Sequence, residues 1–544
     1  MSDTDPKIWL RYVVASAIVL GMFFRFYHLD RKTFWEDEII GTIHALGYSE
    51  AEIVEASPRL HDAAALQAYF RLPDVAHGGR DGLNSTVRSL AAEDPQHPPI
   101  YYVLSHLWAR AFGTSVAAMR SLPALFGLLA LVAIYGLSKE LFASQTVAWL
   151  SVALLAVSPF QVLYSQEARE FTLWTVTVLI SSTLLLRAAR TGSPLIWVSY
   201  AASLVVSLYV LPLSALVIAG HGAYLIGSGT IRKRGLTGWF LAACAVAALA
   251  FAPWLRFMLT SAGLGRGLHL ILSTRMSPLS MAIAFIRDLK GSLFDFGFFR
   301  IGPLHSSAIN AASTLAAVAL IGYAGFVLAR NRQRSATTFL VLALGLPPLA
   351  PIAHDVFFGG GLVEQARYFV PVFLAATIAL AYLFSTTMRP ESGHRGWWTA
   401  TFLLVLFGGV TSCILSAQAA TWWNKDYERT PEVAAIVNAT RRPLVVGDVG
   451  SSRALGLTYY LNPNVSLRVN LRCDNCGLAA PPVDRDLPAG SAAFSDVFVF
   501  GAYEAPQSRA THDGGETRAS ALHEIGIKTF PLQPAPLNMF LSPQ

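Results

Sequence analysis

The chain has 544 residues, of which 53% are hydrophobic and only 14% charged, with a mean hydropathy of +0.46. A soluble globular protein carries about a quarter charged residues. The deficit, with several apolar runs of about 20 residues, excludes an ordinary soluble enzyme and predicts a polytopic membrane protein. The net charge of +7 does not point to nucleic acid, because the basic residues fall in short clusters between apolar segments, as topology signals do.

The first apolar stretch, 8–29, carries Arg11 and Arg25 and lacks a small-residue cleavage site. It predicts an uncleaved helix rather than a signal peptide. Further spans are expected at 119–139, 146–164, 171–189, 194–210, 212–228, 236–256, 308–329, 336–353, 367–386 and 397–418, about eleven in all. Lys7, Lys139, Arg187 with Arg190, the basic run 232–234, Arg330 with Arg332 and Arg334, and Arg389 with Arg395 fall on alternate connections. They share the cytoplasmic side if the N-terminus is inside. The loop at about 30–116, the loop at about 260–306 and the C-terminal region then face out.

Segment 98–112 is apolar but only about 15 residues long and contains His106 and Arg110. Counting it as a span would invert every later basic cluster. An interfacial helix, aromatic on one face, is expected instead. Around Ala63 to Leu66 and Tyr69-Phe70 apolar residues recur at helical spacing, so part of the long loop is expected to pack. From about residue 421 the hydropathy falls, and β-like runs at 443–447 and 496–500 stand among turn residues. The expectation is a transmembrane domain over 1–420 and a small extracytoplasmic α/β or mainly β domain over 421–544. No internal repeat is visible. Of the four cysteines, Cys244 and Cys413 lie in apolar segments. Cys473 and Cys476 form a lone CxxC, which fits a local disulfide or two free thiols better than a zinc ribbon.

Four polar groups fall on the outer side of this topology. The first is Glu36-Asp37-Glu38, just past the first helix, where ionised carboxylates are costly unless solvated or used. A solvated flank is the bland alternative. The second is 94–99 (DPQHPP), whose paired prolines fix the backbone and hold His97 at the membrane surface. The third is 164–171 (YSQEAREF), with Glu167, Arg169 and Glu170 squeezed between two spans. The fourth is Glu364 to Phe369, where Arg367 begins an apolar run and is suited to a phosphate at headgroup depth, or to snorkelling. Tyr368 follows it. His44, His61 and His77 share the long loop, but no HxxxH or HExxH spacing supports zinc.

These residues carry a resemblance. WEDE after the first helix, then 97–142 beginning HPPIYYVLSHLW, then SPFQVLYSQEAREFTLW and ARYFVPV, occur in this order. The set resembles the GT-C superfamily of integral-membrane glycosyltransferases, in the bacterial branch of protein-O-mannosyltransferase-like and aminoarabinose-transferase-like enzymes. The likeness covers about 8–190 well and 360–420 loosely. It implies an inverting transfer of a sugar, hexosyl or pentosyl, from a polyprenyl-phosphate donor to a hydroxyl of a lipid, glycan or protein acceptor outside a bacterial plasma membrane. By the resemblance Asp37 is the base, Glu38 its helper or a metal ligand, and Glu167 the second carboxylate. His97, Arg169, Glu170, Arg367 and Tyr368 are placed at the substrates. Many relatives have proline where this chain has Glu170, so Glu167 and Glu170 both stay open as the second acid. The resemblance requires no cofactor with certainty; a divalent cation, Mg or Mn, at Asp37 and Glu38 is compatible with it. A transporter or lipid-linked-sugar flippase, or an O-antigen ligase or polymerase, are the alternatives. Transporters place ionisable groups near the bilayer midplane and often show matching halves, unlike this chain.

Overall fold

A computed structural model describes residues 8–56, 62–66, 82–230, 235–260, 276–296, 302–421, 430–473, 494–500 and 522–525. Lys7, His61, Tyr69, Phe70, His77, the run 232–234 and Cys476 lie outside the described residues. The chain divides into two units, one of Met1–Ser49 with Pro73–Glu428, the other of Glu50–Leu72 with Arg429–Gln544.

The larger unit is helical, and the chain is a multi-pass membrane protein. Among the described residues, seven helices are long and apolar enough to cross a bilayer: Ile8–Phe26, Val116–Phe142, Phe171–Thr191, Leu236–Thr260, Ala308–Arg330, Ala366–Thr387 and Arg395–Gln418. Two more expected spans are bent pairs, Gln145–Ala156 with Pro159–Ser165 at 64° and Arg334–Gly345 with Leu349–Phe358 at 44°. The remaining two, Pro194–Val210 and Ser214–Gly227, are shorter apolar helices. At 1.5 Å per residue these reach only about 20–25 Å, less than the ~30 Å hydrocarbon layer. The eleven segments read from hydropathy are therefore all helical, but they are not eleven equal rods. Segment 98–112 forms the helix Ile100–Phe112, as its length and aromatic face predict.

The break in the first bent pair has a chemical cause. Ser158 caps the second half, accepting from the Gln161 N–H at 3.4 Å, and Pro159 follows at the first helical position. The carbonyls that end the first half need donors. Arg25, buried inside the first helix, supplies them, donating to Ala156 O at 2.7 Å and Leu155 O at 3.2 Å. A guanidinium at a helix C-terminus meets the negative end of the dipole, which offsets part of its desolvation in an apolar segment. Gly21 lies so close to the Ala156 carbonyl that no side chain fits there.

The smaller unit is an α/β fold built on a sheet of order β2-β1-β3-β4, where β1 is Pro443–Gly450, β2 Ser466–Arg472, β3 Asp496–Phe500 and β4 Leu522–Ile525. Every pairing is parallel, so of the two readings, α/β and mainly β, the structure takes α/β. Helices Thr430–Asn438 and Ser451–Thr458 flank β1. Gly447 of β1 has φ +144° and lies against the Phe500 carbonyl, where no Cβ fits. Segment 50–72 of the first long loop belongs to this unit. Ser451 donates to the buried Glu50 at 3.1 Å, and Asp62 bridges to Ser466. Cys473 is disulfide-bonded.

Candidate active site

The helix Glu36–Ala45 places the acidic trio in its first turn, where the positive end of the helix dipole favours ionised carboxylates. Trp35 is the extended N-cap residue, and Glu38 at the third helical position turns back to accept from its N–H at 3.5 Å. The other end is fixed by two donors on the Ala45 carbonyl, His106 Nδ1 at 2.8 Å and Thr86 Oγ1 at 3.1 Å. Ile39 and Ile43 are buried and lock the helix in rotation.

Glu38 is fully enclosed. Its Oε1 accepts from Arg120 Nε at 2.8 Å and from the Ala168 N–H at 2.7 Å, and its Oε2 accepts from a terminal Arg120 nitrogen at 2.6 Å. Arg120, also buried, donates in addition to the carbonyls of Leu29 at 2.8 Å, Lys32 at 3.0 Å and Thr33 at 2.8 Å. One guanidinium thus ties helix Val116–Phe142, the 29–33 turn and the acidic helix together. The expectation of Glu38 as helper or metal ligand meets a different geometry, because both its oxygens already take donors from the chain. Burial, with Arg120 and Arg31 behind it, pulls the neighbouring Lys32 ammonium down to about 7.

Asp37 keeps 28% of its side chain open to solvent. Its Oδ2 accepts from Arg367 at 2.8 Å, across a sequence separation of 330 residues. The Arg367 guanidinium carbon lies 5.2 Å from the Phe171 ring centroid, 5.7 Å from Tyr368 and 5.8 Å from Trp35, an aromatic setting that holds a planar cation. Arg169 is on the same ring, 5.9 Å from Phe171, and donates to the Asp37 backbone carbonyl at 3.0 Å.

Arg169 anchors the third part. It donates to His97 Nε2 at 2.7 Å. A guanidinium can only donate, so Nε2 is the acceptor, and Nδ1 carries the proton that His97 donates to Asp94 at 2.8 Å. Burial by itself would raise the Asp94 carboxyl, but the hydrogen bond from His97 and the nearby Arg169 guanidinium hold it well below the usual carboxylate range. Glu170 is also buried. Its oxygens lie 3.3 Å from Arg169 Nε and 3.6 Å from His97 Nε2, and Tyr102 donates to it at 3.2 Å. Burial would lower the Arg169 pKa, but Glu170, Tyr102 and Asp37 outweigh it and keep the guanidinium charged. Trp254 closes this side by donating to the Pro95 carbonyl at 2.9 Å.

Of the residues expected from sequence, Asp37, His97, Arg169, Glu170, Arg367 and Tyr368 form this connected cluster, with Glu38 sealed behind it. Glu167 is buried at the same turn, and its carbonyl accepts from the Arg169 N–H at 2.7 Å. The Glu170 side chain meets His97, Arg169 and Tyr102. Arg120, Asp94 and Tyr102 have no role in the sequence reading. Arg120 had a legible signal, a lone charge near the start of a 27-residue apolar helix. Among the described residues no three His, Cys, Asp or Glu side chains come together to hold a metal ion. Asp37 and Glu38 each face a guanidinium.

The dolichyl-phosphate-mannose-protein mannosyltransferase family model matches residues 96–257. That segment includes His97, Arg120, Glu167, Arg169 and Glu170, so the GT-C resemblance read from the motifs stands on part of the same residues. No curated protein matches the chain. Among solved structures, the chain is similar to ArnT from Cupriavidus metallidurans bound to undecaprenyl phosphate, with 13% identity and a TM-score of 0.48 over 84% of this chain and 85% of that one. It is also similar to the Archaeoglobus fulgidus oligosaccharyltransferase with zinc and sulfate, with 14% identity and a TM-score of 0.44 over 80% of this chain. The chain spans only 60% of that oligosaccharyltransferase's length.

Proposed function

We propose that the protein is an inverting glycosyltransferase that moves a sugar from a polyprenyl-phosphate donor to an acceptor hydroxyl on the extracytoplasmic side of a bacterial plasma membrane. The observation that carries this reading is one half-open carboxylate, Asp37, set between two guanidiniums that share the Phe171 ring. A transferase of this kind needs a base for the acceptor proton and cations for the departing phosphate. Asp37 supplies the first, and Arg367 and Arg169 the second.

In the resting cluster the Arg367 charge is spent on Asp37. A donor phosphate in reach competes for that guanidinium with bidentate geometry and leaves Asp37 a stronger base. The acceptor oxygen then forms its bond to the sugar as the sugar–phosphate bond breaks. Asp37 takes the acceptor proton, and polyprenyl monophosphate leaves paired with Arg367 and Arg169. Asp94, His97 and Glu170 hold Arg169 in place; with Nε2 as acceptor, His97 orients the guanidinium rather than protonating the phosphate. The sugar and the acceptor are to be read from the lipid-linked sugars that accumulate on loss of the protein, by mass spectrometry. Full transfer by inserted Asp37→Asn or Asp37→Ala protein, or sugar-lipid flux without release of polyprenyl monophosphate, overturns the proposal.

A further inference from the structure

The helices Ile8–Phe26 and Gln145–Ala156 run the same way, with Gly21 against Ala156 near one end. Toward the other end lies a groove of about 710 Å³ between them, within the ~300–1,000 Å³ of ligand-sized sites. Arg11, Val14 and Ile18 line it from the first helix, at the i, i+3, i+7 spacing of one face. Gln145, Thr146 and Trp149 line it from the second. The polar residues stand together at the groove's end and the apolar ones along its length. This end is roughly 20 Å along the first helix from the Asp37 cluster.

Its rim is positive. Arg11 is exposed there, and the first turn of Gln145–Ala156, capped by Ser144, adds the partial positive charge of a helix N-terminus. Lys139 lies over the Tyr135 ring at 5.9 Å, and that ring is 4.9 Å from Trp149. Among the described residues the carboxylate beside Lys139, Glu140, is shared by Arg187 at 3.1 Å and Arg190 at 2.8 Å. A cationic end above an apolar trough complements an amphiphile with a negative headgroup. A zwitterionic lipid would bring its own ammonium to the same cations.

We infer that this groove binds one anionic phospholipid, its phosphate at Arg11 and the Gln145–Thr146 turn and an acyl chain along Val14, Ile18 and Trp149. The seat is independent of the transferase reading. The test is native mass spectrometry of the detergent-purified full chain, titrated with phosphatidylglycerol or phosphatidylcholine of matched chains. Phosphatidylglycerol is expected to fill one site at least about fivefold more tightly. Arg11→Gln, at an exposed position, should narrow that preference about fivefold. Ala15→Trp, which fills the trough, should remove the adduct, whereas Arg332→Gln at another basic cluster should leave it unchanged. Equal binding of the two lipids, an adduct indifferent to Arg11→Gln and Ala15→Trp, or a dimer that Ala15→Trp dissociates would each overturn the inference.

Discussion

Asp37 and Glu38 are neighbours in sequence and each faces an arginine, yet their surroundings differ in kind. Glu38 and Arg120 are both fully buried and joined through two oxygens, with backbone groups taking the remaining donors and acceptors. Asp37 accepts from Arg367 at 2.8 Å with the carboxylate side 28% open. A buried, saturated pair cannot exchange partners without leaving charges uncompensated in a low dielectric. A pair partly open to solvent can, because water compensates the separated charges. The inner pair braces three parts of the chain, and the outer one is the pair we propose to take part in transfer.

Four measurements test that contrast, in descending order of the change each should produce. Arg120→Ala strands Glu38 as a buried charge and should lower stability by about 3–5 kcal/mol, read as a fall in the thermal transition and in yield from the membrane. A variant folded as well as the parent would dissolve the distinction. Asp37→Asn should leave the thermal transition in place and cut transfer on the order of 10²–10⁴-fold, measured with a defined polyprenyl-phosphate-sugar. Arg367→Lys keeps the charge but loses the planar geometry, and should cost roughly 100-fold in turnover with little change in folding.

The smallest effect concerns His44, on the same helix as the carboxylates but buried, where desolvation pulls its imidazole from the usual 6.5 to about 4. The unfolded chain therefore binds a proton that the folded one refuses. Stability is complete above about pH 6.5 and falls toward pH 4 by up to ~1.4 kcal/mol per pH unit. His44→Gln should flatten the fall of the thermal transition between pH 7 and 5; an unchanged slope would place its origin elsewhere.

Hydropathy and charge position in the sequence carry the membrane class, the eleven helical segments, the helix at 100–112 and most of the polar residues that cluster. Hydropathy and charge position are local properties, and each of these follows from them. The second unit was visible only in part. Its strands are legible in composition, but the membership of 50–72 depends on contacts such as Glu50 with Ser451, more than 400 positions apart. The unequal fates of Asp37 and Glu38 were likewise decided by the tertiary structure alone. Which carboxylate is sealed depends on where Arg120 and Arg367 arrive, and those positions are set by helix packing, which no local pattern around WEDE encodes. The surroundings of Glu170 were equally hidden: Tyr102, His97 and Arg169 are brought to it by packing, which no pattern at that tight turn encodes.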